Sequence, residues 1–467
     1  MRPSVASIRA IAGALLALGL PHFAGAQSAA LPSVARARLT IDSLARDFAV
    51  NGMVPGTVIA VVRGRDTLLF RAYGKANLEL GTPMSVNSVL RIGSVTKQFT
   101  SSAVMQLVQE GKLAVTDTIG QWVTNLPVAW RGVTIAHLLN HTSGIPSYTE
   151  LGEPWAKHWG DVMSGADIVA LTAEKPFDFP VGTSWKYNNT GYVLLGMLIE
   201  ARAGHSWGDD FAGRFFTPLG MKRTVYCENR PLIADRASGY SRNEKDVWLN
   251  AAYLAMSQPH AAGALCSTIG DLLTWNRALH GGKVVSAASY AAMTTPAGAA
   301  AEHHYGSGLM TEQLGTHNVV LHGGGIHGFL TANLYVPDAQ LSVTVLTNGD
   351  FTSPDRVAHQ LVRAALGVPL DVPPKGIALT PAQRASYVAK FDLVLDGPHL
   401  FTVYEKDGAL YGMMDGQSPE KMIPLGNHIF GVAFKADVRL IFAMAGDKPT
   451  KITLRQNGKE FEGPLHP

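Results

Sequence analysis

The sequence has little charge. Asp, Glu, Lys and Arg make up 16% of its 467 residues against 46% hydrophobic residues, which excludes a disordered or coiled-coil chain. It also lacks an excess of either sign. The 39 basic residues face 36 acidic ones, too even a balance for a general nucleic-acid field. After the N-terminal segment no apolar run reaches the ~20 residues that a membrane span needs. There is no repeat of 20–50 residues and no low-complexity tract. Gly 48 and Pro 26 imply many turns, without a collagen period. Cysteine is scarce as well: Cys227 and Cys266 are the only two. What remains is a soluble, well-packed globular chain, long enough for two or three domains.

The N-terminus has the three parts of an export signal. Arg2 and Arg9 make a positive start, Ile11–Leu20 is a short apolar run, and Ala24-Gly25-Ala26 is a small-x-small cleavage site. Residues 1–26 are therefore expected to be a signal peptide cut after Ala26. No Cys follows the apolar run, which argues against a lipoprotein anchor. The mature protein is expected to be periplasmic or secreted. In an oxidising compartment Cys227 and Cys266 either form a disulfide, closing a loop of about 40 residues, or remain two buried thiols.

Hydrophobic spacing gives a helix over Pro32–Asn51 and a hairpin from Thr57–Val62 and Thr67–Ala72 around Gly64-Arg65-Asp66. A second helix runs over Ser94–Glu110, with Val95, Phe99, Val104 and Leu107 on one face. Residues 112–300 read as mostly helical and loop-rich. Strand patterns return at Val319–His322, Thr331–Val336 and Leu341–Asn348, and Arg356–Leu366 closes as a helix. This predicts an α+β fold: an antiparallel or mixed sheet built from both ends of residues 27–367, flanked by helices, with a helical middle. Residues 368–375 read as a linker. Residues 376–467 read as a small all-β barrel with strand runs Leu400–Glu405, Ala409–Met413, His428–Val432, Leu440–Met444 and Lys451–Gln456.

Three motifs carry chemistry. Ser94-Val95-Thr96-Lys97 puts a hydroxyl and an amine at i and i+3 of a helix start, where they can touch. The bland reading is a helix-capping Ser. A second match, Ser418-Pro419-Glu420-Lys421, lies in a turn with Pro inside and is read as chance. Tyr187-Asn188-Asn189 ends a Pro/Gly/Asn loop, so its Tyr can face a cleft, or the loop is a turn with a cap. His322-Gly323-Gly324-Gly325-Ile326-His327-Gly328 fits G-x-G-x-x-G but leads into a strand without a βαβ unit, which excludes dinucleotide binding. Glycines in a strand mark close approach, and an edge strand with bare N–H groups suits an oxyanion hole. His137 and His141 lack the partners of a zinc site and read as structural. There is no G-x-S-x-G and hence no α/β-hydrolase elbow.

The order Ser-x-x-Lys, Tyr-x-Asn and Gly-rich strand resembles the beta-lactamase / penicillin-binding-protein serine hydrolase superfamily. The likeness is to the branch with class C beta-lactamases, D-aminopeptidases, DD-peptidases and related esterases. His137–Pro146, Pro180–Gly196, Pro218–Met221 and Ala261–Trp275 also resemble it, and the resemblance covers about residues 35–366. Residues 376–467 are similar to lipocalin-like C-terminal domains that some of these hydrolases carry, which leaves a carrier role open. The resemblance implies Ser94 as acylated nucleophile, Lys97 and Tyr187 as the acid–base pair, and Asn189 as a residue that orients Lys97 and holds substrate. It implies an oxyanion hole from the N–H groups of Ser94 and Gly325. His322 stands where the family's third motif has Lys, with Gly323 for its Thr and Gly324 for its Gly.

A free Lys is neutral about once in 2,500 molecules at pH 7, so a basic Lys97 needs a pKa lowered by about 3 units. His322 is mostly neutral at that pH and cannot hold a carboxylate as a fixed cation does. The expectation is an exported serine hydrolase of esters or amides, D-amino-acid peptides included, with weak turnover of penicillins. No cofactor or metal is expected. The partners are a small-molecule or peptide substrate, with peptidoglycan fragments as candidates, no nucleic acid, and no membrane span after signal cleavage. The rival is a catalytically silent penicillin-binding-protein-like protein that binds peptidoglycan or another ligand.

Overall fold

The computed structural model describes residues 31–51, 54–243, 247–371, 374–395, 397–415, 419–432, 438–456 and 459–467. The expected signal peptide and Ser418 lie outside the described residues. Among those described, no helix is long and apolar enough to cross a membrane.

The first sheet has seven strands, all antiparallel to their neighbours. Its centre pairs β1 (Gly56–Arg63) with β6 (Leu341–Thr347), two strands from opposite ends of this part of the chain. β2 (Asp66–Asn77) and the short strand Thr82–Pro83 extend one side. β5 (Phe329–Val336), β4 (His317–Ile326) and β3 (Met310–Leu314) extend the other. β1 reads as a continuous apolar run because both its faces are covered. Successive side chains alternate: Ile59 and Val61 enter one core, Val58 and Ala60 the other.

The Ile59 face packs against α1 (Val34–Asn51) and α5 (Asp355–Leu366), through Ile41, Ala45, Leu361 and Val362. The Val58 face packs against α2 (Thr96–Gln109), α3 (Asn189–Ala203) and α4 (Ile269–His280). Phe99 of α2 stacks on Trp275 of α4, ring centroids 3.8 Å apart. Burying such a side chain stabilises by about 1.5–3 kcal/mol. α2 is buried nearly all round and forms the axis of the helical layer. It begins at Thr96; Ser94 lies in a tight 3₁₀ turn, Gly93–Val95, that precedes it. The cap position of α2 is Val95, so Ser94 does not cap the helix.

Eight further strands follow in simple sequence order from Ala389–Val394 to Lys459–Pro464. First meets last: Phe391 bridges Leu465, and His466 N–H donates to Lys390 O at 2.8 Å. The interior holds Phe391, Phe401, Phe430 and Phe442, with Phe430 and Phe442 rings 5.3 Å apart. An eight-stranded barrel is just wide enough for side chains to fill, and these rings pack across the space a carried ligand would use. Three strands went unexpected: Ala389–Val394, Glu420–Gly426 and Lys459–Pro464. In the first of them Ala389, Phe391 and Leu393 alternate with Lys390 and Asp392, a period-2 signal in a short segment; in the second Pro424 breaks a short apolar run.

Cys227 and Cys266 form a disulfide, with Cα atoms 5.0 Å apart and both residues buried. It crosses between Leu265–Ser267 and the chain just after Val225–Tyr226, strands that also pair. With a sequence separation of 39 residues, the chain-entropy account gives about 4 kcal/mol as an upper figure. Reduction, or the Cys227→Ser/Cys266→Ser double variant, is expected to lower stability by about 2–4 kcal/mol with unchanged far-UV circular dichroism. An unchanged denaturant midpoint would show that the bridge adds nothing.

Candidate active site

Two backbones meet at the site, and only glycine permits it. Gly93 has φ +51°, and a Cβ there would sit 2.8 Å from Gly325 N. A Cβ on Gly324 would sit 2.0 Å from Ile92 O and 3.3 Å from Ser94 N. β3 pairs with β4 only as far as Leu321, so the glycine stretch beyond it is free to face the Gly93–Val95 turn. The backbones at Ser94 and Gly325 are thereby adjacent, with Gly325 exposed and Ser94 half-buried.

Lys97, the second residue of α2, is fully buried. Its Nζ lies 3.1 Å from Ser94 Oγ, 2.8 Å from Asn189 Oδ1 and 2.9 Å from Ala262 O. The last two atoms can only accept hydrogen bonds. Among the described residues no carboxylate pairs with this amine, and burial pushes its pKa well below the usual lysine range. A neutral amine has two hydrogens and one lone pair. Asn189 and Ala262 take the hydrogens, and the lone pair is left facing the Ser94 hydroxyl.

The Tyr187 ring covers the same amine, its centroid 4.7 Å from Lys97 Nζ. Its hydroxyl is buried and makes no well-formed hydrogen bond, although Ser94 is near enough to favour its ionised form slightly. Burial is the larger effect and pushes the Tyr187 pKa up. The two groups are driven apart: Lys97 toward the neutral amine, Tyr187 toward the neutral phenol. Pairs so separated define acid and base.

The loop after His137 holds this pair in place. Asn188 caps α3 through its side chain, donates its backbone N–H to His141 Nδ1 at 3.1 Å, and bonds Ile145 O. Asn189 N–H donates to Ser147 Oγ at 3.1 Å, and its Nδ2 donates to Thr149 Oγ1 at 3.0 Å, which aims Oδ1 at Lys97. His141 accepts at Nδ1, so its proton is on Nε2, a buried atom without a partner. His137 bonds Thr134, and among the described residues no group of three or more His, Cys, Asp or Glu could hold a metal.

His322 is 4% exposed. Its Nδ1 donates to Gly323 O at 2.6 Å and its Nε2 accepts from Tyr305 Oη at 3.0 Å. Burial pushes its pKa down to about 3. It is a neutral, internally bonded ring and offers the cleft no free nitrogen. The structure thus brings Ser94, Lys97, Tyr187, Asn189, Gly324 and Gly325 together, while His322 lies behind them. Sequence reasoning missed Ser147, Thr149, Tyr305 and the Ala262 carbonyl. Three of these lie within or next to stretches that resembled the family; Tyr305 gave no signal.

Known proteins resemble this chain over most of its length. A model of the Beta-lactamase family matches residues 41–367. Penicillin-binding protein 4* of Bacillus subtilis (strain 168) is 28% identical over 439 residues, covering 87% of this chain and 94% of that one. A D-aminopeptidase of Brucella anthropi is 28% identical over 345 residues, 70% of this chain, but the match spans only 62% of that protein's length. The structure of a D-stereospecific amidohydrolase from Streptomyces sp. is similar with TM-score 0.61 and 29% identity, covering 72% of this chain and 98% of that one. The family match takes in the greater part of the sequence and every residue of the constellation above, and the chain belongs to the Beta-lactamase family of serine hydrolases.

Proposed function

We propose that this protein is an exported hydrolase that cleaves esters or amides, D-amino-acid amides and peptides among them, through an acyl-enzyme on Ser94. The observation that carries the reading is the Lys97 amine, buried without a carboxylate and bonded to two acceptor-only oxygens. Ser94 Oγ attacks the carbonyl carbon while its proton passes to the Lys97 lone pair. The carbonyl oxygen takes the negative charge, and the N–H groups of Ser94 and Gly325 stabilise it. Collapse breaks the bond to the leaving group, which leaves with the Lys97 proton, and Tyr187 is positioned to relay it. Water then attacks the acyl carbon and gives a proton to Lys97; the intermediate collapses with cleavage of the bond between that carbon and Ser94 Oγ, which takes the proton back from Lys97 as the acid product leaves.

The D-stereospecific relatives supply the substrate class. Because His322 is neutral and bonded internally, the third motif lacks the fixed cation that would hold a penicillin carboxylate. Peptidoglycan fragments are the natural source of D-amino-acid peptides for an exported enzyme. The N-terminal signal pattern supports a periplasmic or secreted location, and so does a disulfide. The division into a hydrolase domain at 27–367, a linker at 368–375 and a barrel at 376–467 belongs to the same proposal.

Intact-mass analysis with a small fluorophosphonate tests it. Wild type should gain one adduct and Ser94→Ala none, and Lys97→Ala should slow labelling by about 10²–10⁴-fold. No adduct on wild type would favour a silent binding protein. A penicillin should label far more slowly than the fluorophosphonate; equal rates would contradict the reading of His322. The pH profile follows from the direction of the Lys97 shift. Acylation needs the neutral amine, so kcat/KM should rise with pH through the depressed pKa and level off well below 10.5. A rise that continues to the ordinary lysine value would contradict a neutral Lys97.

A further inference from the structure

Four rings outside the catalytic constellation form a continuous row beside it. Tyr148 packs edge-on to Trp155 at 5.3 Å, Trp155 to Trp159 at 5.7 Å, and Trp159 to His327 at 4.4 Å. The ends of the row are fixed at the two sides of the cleft. Tyr148 lies between Ser147 and Thr149, which both bond Asn189, and its own N–H donates to Thr190 Oγ1 at 2.9 Å. His327 is two residues past Gly325, and its Nδ1 donates to Ala252 O at 3.2 Å.

The row is held rigidly from behind. Buried Gln258 accepts from Trp155 Nε1 at 2.8 Å and donates to the carbonyls of His158 and Asp161. Its own carbonyl accepts from Tyr148 Oη at 3.1 Å. Ala255 N–H donates to Trp159 O at 2.7 Å. Trp155, Trp159 and His327 nevertheless stay partly exposed. Burial lowers the His327 pKa, which keeps that ring neutral and less costly to cover with an apolar group.

We propose that Trp155, Trp159 and His327, backed by the buried Tyr148 ring, form an aromatic wall that receives the acyl-side substituent of the substrate, so that the enzyme favours aromatic acyl groups. The inference rests on Ser94 being the acylated residue. A carbonyl carbon at Ser94 Oγ, with its oxygen at the Gly325 N–H, lies between the two anchored ends of the row. The group attached to that carbon then meets ring faces and edges, which reward another ring in edge-to-face or offset packing. A methyl group in the same place covers little of them.

The test compares p-nitrophenyl phenylacetate with p-nitrophenyl acetate in wild type, Trp159→Ala and Trp159→Phe, with fluorophosphonate labelling of wild-type Ser94 alongside. Trp159→Ala should lower the phenylacetate-to-acetate ratio of kcat/KM about tenfold or more, and Trp159→Phe, which keeps a ring, should hold it within about threefold of wild type. If Trp159→Ala fails to fold, Trp159→Phe and His327→Ala carry the comparison, with the loss then expected in His327→Ala. Labelled Ser94 with a ratio that no variant changes would overturn the wall and leave the acyl-enzyme standing. Unlabelled wild type would overturn the acyl-enzyme and the wall with it.

Discussion

The site depends on keeping a lysine amine dry. Among the described residues Lys97 has no countercharge, and its ammonium form would be an isolated buried cation. A charge so placed is relieved by losing its proton. The surroundings give the neutral amine a defined orientation, because Asn189 Oδ1 and Ala262 O can do nothing but accept. The lone pair is thereby directed at Ser94. A carboxylate in place of the Asn189 amide would restore the cation.

The rest of the fold serves that arrangement. α2 is buried on all sides, so its first turn lies in a low-dielectric interior. The Asn189 acceptor arrives on α3, whose start is stapled to the loop at 141–149. The Ala262 carbonyl comes from the short helix His260–Gly263. The remaining side is formed by β4, held in the sheet by β5 and β6, and β6 pairs with β1 from the other end of the chain. Three distant stretches must therefore fold together before the amine is shielded. Glycines at 93 and 324 allow the last approach, of strand to turn, that brings the Ser94 and Gly325 backbones together.

Much of this was legible in the sequence. Period-2 and 3.6-residue patterns located α1, the β1–β2 hairpin, β4 to β6 and α5, because each presents a continuous apolar face. Ser94, Lys97, Tyr187 and Asn189 stood out because a hydroxyl and amine at i and i+3, and a Tyr-x-Asn at a loop end, are spacings with a chemical meaning. The glycine stretch could be read as close approach for a steric reason that the structure bears out. What could not be read was pairing between distant segments. Nothing local to Tyr305 says that it bonds His322, and nothing local to Thr149 says that it turns Asn189. His322 was legible as neutral, but not as enclosed. Of the barrel strands that were missed, Ala389–Val394 carries a period-2 pattern with Phe391 and Leu393 inward, whereas Glu420–Gly426 offers only a short apolar run broken by Pro424, with Met422 inward.

The most direct measurement is the titration of Lys97 itself, by NMR of protein carrying 13Cε-lysine, with its resonance assigned by its loss in Lys97→Met. The account predicts that Lys97 changes protonation well below the ordinary range near 10.5. A Lys97 resonance that remains that of an ammonium up to that range would contradict the neutral base, and with it the mechanism built on Ser94.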